Sequence, residues 1–312
     1  EIMLPTNEER TAVCCLSSLN LDKFDEWENT TLVADMITML DNVLEFFVQH
    51  APDELAKARF SAKRERSLGL GAMGFHSWLQ KNNIAWESDE ARMENERIFS
   101  YISEEAEAQT RRLAQERGEY PDGYGTGRRN AHLTAIAPNA NSGMILNVSP
   151  SIEPYNANTF TQRSRIGSYL IKNPYLADVL EKYNKNNEAT WKSIMLNRGS
   201  VSGLKFLTDH ERNVFKTAME LNQETVVQHA ADRQKYIEQG QSVNLFFPSK
   251  QDKAELNKVH YLAWKNKLKT LYYLRTEADN RVENVSDKVE RDALRDYEER
   301  PQQEEECESC QG

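Results

Sequence analysis

The side chains best suited to carrying electrons lie near the two ends of this sequence. Cys14 and Cys15 stand in "AVCCLSSLNL", and Cys307 and Cys310 stand in the closing "EEECESCQG". A structural disulfide joins segments that a fold holds together, and a terminal tail has little to join. The Cys307–Cys310 pair has the C-x-x-C spacing of a redox dithiol, without the strand-then-helix setting such motifs need. A dithiol on a flexible leash has another use. It can enter a pocket, exchange with a disulfide there, and swing out to be reduced by an external protein. About 30 disordered residues span about 30 Å root-mean-square, so reach is not limiting. Cys14, in an apolar strand-like run, is the candidate inner partner and is expected inside. Cys15 alternates with it and should face the other way. Inert packing is the commoner fate of a buried cysteine. A zinc site is not expected, because vicinal cysteines chelate poorly and the other pair sits on a polar tail.

Three further stretches have the composition of sites. "LKTLYYLRT" sets Tyr272 beside Tyr273. Neighbours in a regular strand point to opposite faces, so one would be core and the other surface. Joint action of the two phenols requires a backbone bend at the strand end. "APNANSGMI" follows the strand-like "HLTAIA". Pro138, Asn139, Ala140, Asn141 and Ser142 suit either an anion-binding turn or an ordinary turn entering a helix. "GLGAMG", residues 69–74, spells the dinucleotide fingerprint, but the preceding "AKRERS" is no buried strand. A glycine-rich turn entering the helix "FHSWLQ" is the better reading. The six histidines show no ligand spacing, and His132, His229 and His260 read as core-edge or helix-surface residues.

Helices must position these groups. Apolar residues at three- and four-residue spacing predict a helix over 31–50. A longer one covers "ESDEARMENERIFSYISEEAEAQTRRLAQERG", with acids at its start and Gly118 at its end. "NPYLADVLEKY", "TDHERNVFKTAMELNQETVVQHAADRQKYIEQ" and "DKAELNKVHYLAWKNKL" read as further helices. Strand-like runs alternate with them: "AVCCLSSLNL", "HLTAIA", "SVNLFF" and "LKTLYYLR". The pattern is that of an α/β protein with largely parallel strands, whose sites gather at strand C-terminal ends. Residues 1–276 form the folded part. Residues 277–312 are highly charged and poor in large apolar groups, so they read as a disordered acidic tail, with a transient helix over about 286–299.

The chain has 312 residues, 39% of them apolar and a net charge of −10. That balance argues against general nucleic-acid binding, which wants a basic face. A run of about 18 apolar residues is missing, so no membrane-crossing helix is expected. With no leader pattern in view, a cytoplasmic setting is expected. The first residue is Glu rather than Met, which suggests that a longer chain precedes it.

Taken in order, "EIMLPT", "AVCCLSSLNL", "RSLGLGAMGF", "HLTAIAPNANSG" with "SIEP", "AADRQKYIEQGQSVNLF", "AWKNKLKTLYYLRT" and "CESC" resemble the C-terminal half of the large, catalytic subunit of class I ribonucleoside-diphosphate reductase. The resemblance covers nearly the whole chain. It implies the second half of a ten-stranded α/β barrel followed by the tail. It also implies that Glu1 ends an Asn-x-Cys-x-Glu motif, acting as base on the substrate 3′ hydroxyl, while the Asn and radical Cys lie before residue 1. Cys14 would be one of the two cysteines that reduce the 2′ position. Tyr272 and Tyr273 would relay the radical, with Tyr272 nearer the catalytic Cys. Cys307 and Cys310 would re-reduce the active-site disulfide, and residues 138–142 would hold the substrate diphosphate. Asn139, Ala140 and Asn141 replace the hydroxyl residues usual in that loop. No cofactor is expected in this chain: the metal-containing small subunit supplies the radical, and thioredoxin or glutaredoxin the electrons. The N-terminal half of the large subunit and ribonucleoside diphosphates complete the expected partners. Two rival readings are a non-catalytic remnant that binds the small subunit and an NAD(P)-dependent dehydrogenase.

Overall fold

The computed structural model describes residues 1–164 and 167–276. Cys307, Cys310 and the helix expected over 286–299 lie outside the described residues. The strands are β1 (Leu16–Asn20), β2 (Gly69–Met73), β3 (Thr159–Ser164), β4 (Gly167–Lys172), β5 (Leu245–Phe247) and β6 (Leu274–Thr276).

A row of parallel segments carries the architecture. β1 pairs with β2, Leu16 opposite Gly69. A Leu70–Thr134 bridge adds residues 133–136, and an Ile136–Gln241 bridge adds the run leading into β5. β5 then pairs in parallel with β6. Nothing joins β1 to β6 among the described residues, so the row stays open. β3 and β4 form a separate antiparallel hairpin, which the sequence reading did not anticipate.

"GLGAMG" departs from the expected turn. Residues 69–73 are a fully buried strand, and only Gly74, at φ +81°, turns the chain into the helix Phe75–Lys81. The glycines allow close neighbours. A Cβ on Gly69 would lie 2.1 Å from Leu16 Cδ2, and one on Gly71 would lie 2.3 Å from the Ala135 carbonyl oxygen. Leu16 and Ala135 thus fill the space beside the two glycines.

The long helices match their predicted spans: Leu32–His50, Asp89–Arg117, Pro174–Lys182 and Lys253–Lys265. Ser88 caps the second by accepting from the Ala91 N–H, and Gly118 ends it at φ +85°. The stretch read as one helix from about 208 is broken into Asp209–Val214 and Gln223–Gln234. Between them, Glu220 accepts bonds from the Thr217 N–H and hydroxyl, and Asn222 caps the second piece.

Helices Leu32–His50 and Asp89–Arg117 pack together behind the row. Ile37, Leu40, Leu44, Ile98, Phe99 and Ile102 meet Leu19, Leu70, Leu245 and Phe247 there in one core. A smaller core joins Leu176, Leu180, Trp191, Ile194, Val214 and Phe215. Asp41, fully buried on the first helix, accepts from Arg66 Nη2 at 2.7 Å and Arg117 Nη1 at 2.9 Å. Burial opposes its charge, but the surrounding guanidinium groups hold its carboxyl below the usual range. This cluster fixes the helix to the segment that enters β2.

Candidate functional site

The 240–244 run organises the site. Gly240 donates its N–H to the Glu1 carbonyl at 2.8 Å, and the Ser242 hydroxyl donates to Glu1 Oε2 at 2.7 Å. Met3 adds a bond from its N–H to Gln239 Oε1 at 3.0 Å. The first residues therefore lie along the row, and the Glu1 carboxylate is held in one place.

Cys14 precedes β1 and is exposed, whereas Cys15 is buried. The alternation was expected, but the assignment is reversed: Cys15 is the interior residue. Its thiol points at the Leu40 carbonyl, 3.6 Å away, inside the helix-backed core. Burial pushes that thiol up to about 11, with Cys14 and Asp41 adding to the rise. Cys14 faces the other side of the row. Partial desolvation raises its thiol, and the Glu1 carboxylate raises it further. Cys14 and Glu1 thus share a neighbourhood, and neither thiol is activated toward thiolate.

Tyr272 and Tyr273 meet ring to ring, with centroids 4.2 Å apart and planes at 58°. A regular strand would separate them; a bulge brings them together. Tyr272 donates its N–H to the Val243 carbonyl, Tyr273 donates its N–H to Asn244 Oδ1, and the Tyr273 carbonyl accepts from the Leu245 N–H. Both N–H groups point at the same neighbouring strand, so two residues oppose Asn244. The two residues are 45% and 57% exposed. Contact with the Tyr273 phenol is the main cause that raises the Tyr272 phenol, and the Glu1 charge contributes.

The 138–142 segment leaves the row after Ile136. The helix Ala140–Leu146 begins within it. Asn139 does not cap that helix; its Nδ2 donates to Ser18 Oγ on β1 at 2.6 Å. Pro138 and Asn139 are half-buried, and Ala140, Asn141 and Ser142 are exposed. A cavity of about 300 Å³ lies behind this segment, lined by Ala140, Met144, Tyr155, Phe160 and Ile171. It does not include Glu1 or Cys14.

Cys14 and the tyrosine pair lie just before β1 and β6, Glu1 lies beside Ser242, and residues 138–142 follow the end of the 133–136 segment, so of these groups the last alone sits at the C-terminal end of a strand-like segment. Sequence reading missed Ser18, Ser242 and Asn244, which hold the expected residues in place. Their signal was alternation: Ser242 and Asn244 fall between Gln241, Val243 and Leu245, which turn inward. Among the described residues, no cluster of His, Cys, Asp and Glu has the makings of a metal site.

The model of the ribonucleotide reductase barrel domain matches residues 1–125 and 122–274. The chain belongs to the ribonucleotide reductase family. It is 48% identical over 92% of its length to the ribonucleoside-diphosphate reductase large subunit of Invertebrate iridescent virus 6, and 48% identical over 91% to that of Invertebrate iridescent virus 3. The class Id ribonucleotide reductase alpha subunit of Actinobacillus ureae superposes with a TM-score of 0.84, at 40% identity over 89% of this chain. The chain spans 30%, 46% and 52% of those proteins, about half their length or less. As a ribonucleotide reductase barrel, the open row is an α/β arrangement covering part of the relatives. Among its described residues no helix is long and apolar enough to cross a membrane.

Proposed function

We propose that this chain supplies part of the catalytic subunit of a ribonucleoside-diphosphate reductase. In this reading the row is the second half of a ten-stranded barrel. Ribonucleoside diphosphates lose the 2′ hydroxyl as water, and two thiols become a disulfide, which balances the two electrons consumed. Glu1, oriented by Ser242, takes the proton of the 3′ hydroxyl. Cys14 is one of the two reducing thiols, and its raised pKa keeps it protonated until it gives up its hydrogen. Tyr272 and Tyr273 relay the radical generated at the metal centre of the small subunit. Residues 138–142 hold the diphosphate through backbone N–H groups and amide side chains. Cys307 and Cys310 re-reduce the disulfide, drawing electrons from thioredoxin or glutaredoxin in the cytoplasm.

The observation that carries this reading is the tyrosine pair. The two phenols are in ring contact while their residues are about half exposed, and the Tyr272 phenol is raised by its contact with Tyr273 and by the Glu1 charge, an arrangement that burial does not account for. The radical cysteine is expected in an N-terminal portion, so the 312-residue chain should be inactive alone. The test is an assay with small subunit and reductant, with and without that portion. Turnover by the isolated chain would contradict the proposal. Full turnover by Tyr272→Phe in the complete enzyme would instead favour a remnant that merely binds the small subunit.

A further inference from the structure

Glu153 is buried, 6% exposed, yet nothing in the proposed chemistry uses it. It follows the helix Ala140–Leu146 and points toward the far end of the row. Its Oε1 accepts from Asn244 Nδ2 at 2.7 Å. Asn244 is itself buried, 2% exposed. Its other amide atom, Oδ1, accepts from the Tyr273 N–H at 3.0 Å. An asparagine amide has one donor end and one acceptor end. An ionised carboxylate only accepts, so it fixes the donor end toward Glu153 and the acceptor end toward Tyr273. This is the bond that turns the Tyr273 N–H to the same side as the Tyr272 N–H. Arg275 completes the arrangement. Its guanidinium lies 5.7 Å from the Tyr273 ring centre, and its charge acts on Glu153.

We infer that Glu153 is a positioning residue for the tyrosine pair, holding through Asn244 the bulge that sets Tyr272 and Tyr273 ring to ring. The inference rests on the relay role proposed above for that pair. Glu153 acts on neither phenol directly. Once protonated, its O–H can donate, the amide can turn over, and the Tyr273 N–H loses its acceptor.

The carboxyl is poised for that change. Burial pushes it up to about 7, against the pull of Arg275 and the Asn244 bond. Arg275, on β6, is the charged group acting on it among the described residues, and Asn244 is its hydrogen-bond partner. The folded-state value is raised above the unfolded one, so ionised Glu153 costs stability as pH rises through 7. Replacing it by Gln removes that cost, but an amide has a donor end as well as an acceptor end, so it no longer fixes which way the Asn244 amide points.

The test uses the full large subunit assembled with its small subunit, assayed from about pH 6 to about pH 9. Wild type, Glu153→Gln, Glu153→Asp and Tyr272→Phe are compared. Meta-fluorotyrosine at position 273 supplies a fluorine NMR signal that does not depend on turnover. The wild type should lose turnover, and its fluorine resonance should move, as pH falls through about 7. Glu153→Gln should abolish both changes and lower turnover by about a hundredfold, the scale of a misplaced reacting group. Its unfolding midpoint at alkaline pH should equal or exceed the wild type's, and Glu153→Asp should restore part of the pH response. If Glu153→Gln unfolds the protein, Asn244→Ser keeps the carboxylate, removes the bridge and should give the same two losses. Wild-type turnover and an unchanged fluorine response in these variants would overturn the inference. Full activity of Tyr272→Phe would remove the relay reading, while the fluorine response would still decide whether Glu153 holds the bulge.

Discussion

Cys14 and Cys15 are neighbours in the chain and opposites in setting, and the run into β5 repeats the contrast. Val243, Leu245 and Phe247 enter the core, while Ser242 and Asn244 hold Glu1 and Tyr273 on the other face. One backbone with a two-residue period thus serves two tasks. The inward set contributes stability through burial. The other set is just as buried, Ser242 at 1% and Asn244 at 2% exposed, but its polar side chains contribute placement. Substitutions one position apart should therefore fail in different assays.

The largest expected contrast is between the two cysteines. In the complete enzyme, Cys14→Ser should cut turnover by about a thousandfold, about 4 kcal/mol of barrier. Cys15→Ala should leave turnover per folded molecule near wild type. Equal losses in steady-state assays would erase the distinction between the faces. Leu245→Ala comes next. It opens a cavity where the side chain is 2% exposed and should cost about 2–5 kcal/mol in denaturant unfolding. Its turnover, measured on the folded fraction, should stay within about twofold.

The smallest effect per step is the core's response to acid. His76 and His229 are buried against Trp86, and burial lowers them to about 3 and about 4. Below pH 6.5 the unfolded chain takes up protons that these folded imidazoles refuse. Each should cost about 1.4 kcal/mol of stability per pH unit from about 6.5 down to its folded value. Denaturant midpoints measured with and without His76→Gln would show whether that slope falls by the share of one group. The outward face, read by turnover, should keep its own limb at Glu153.

Much of this division was legible in the sequence. The long helices announced themselves through spacing and ends, since Gly118 and the acidic first turn of Asp89–Arg117 both act locally. The tyrosine pair was readable as a candidate, and so was the condition it had to meet, a bend at the strand end. What the residues did not reveal came from partners distant in the chain. Which cysteine lies inside depends on the helix Leu32–His50 covering one side of β1, and adjacent thiols carry no mark of that. "GLGAMG" looked like a turn because glycine usually marks one, yet here glycine lets β2 sit between Leu16 and Ala135. The break after Val214 went unnoticed because no Pro or Gly marks it, although Asn222 before "QET" is a readable cap. Asn139 bonds to Ser18 across 121 residues, a separation at which local pattern is silent.

The open row has a consequence for anyone who handles this chain by itself. β1 shows one flank to β2 and β6 shows one flank to β5, and among the described residues the opposite flanks meet no strand. Such borders are adhesive, since each free amide and carbonyl seeks a mate along the whole margin. A dilute preparation should stay dispersed, whereas a concentrated one should knit margin to margin into larger assemblies. A second polypeptide able to zip onto both flanks would act as a solubiliser as much as a partner.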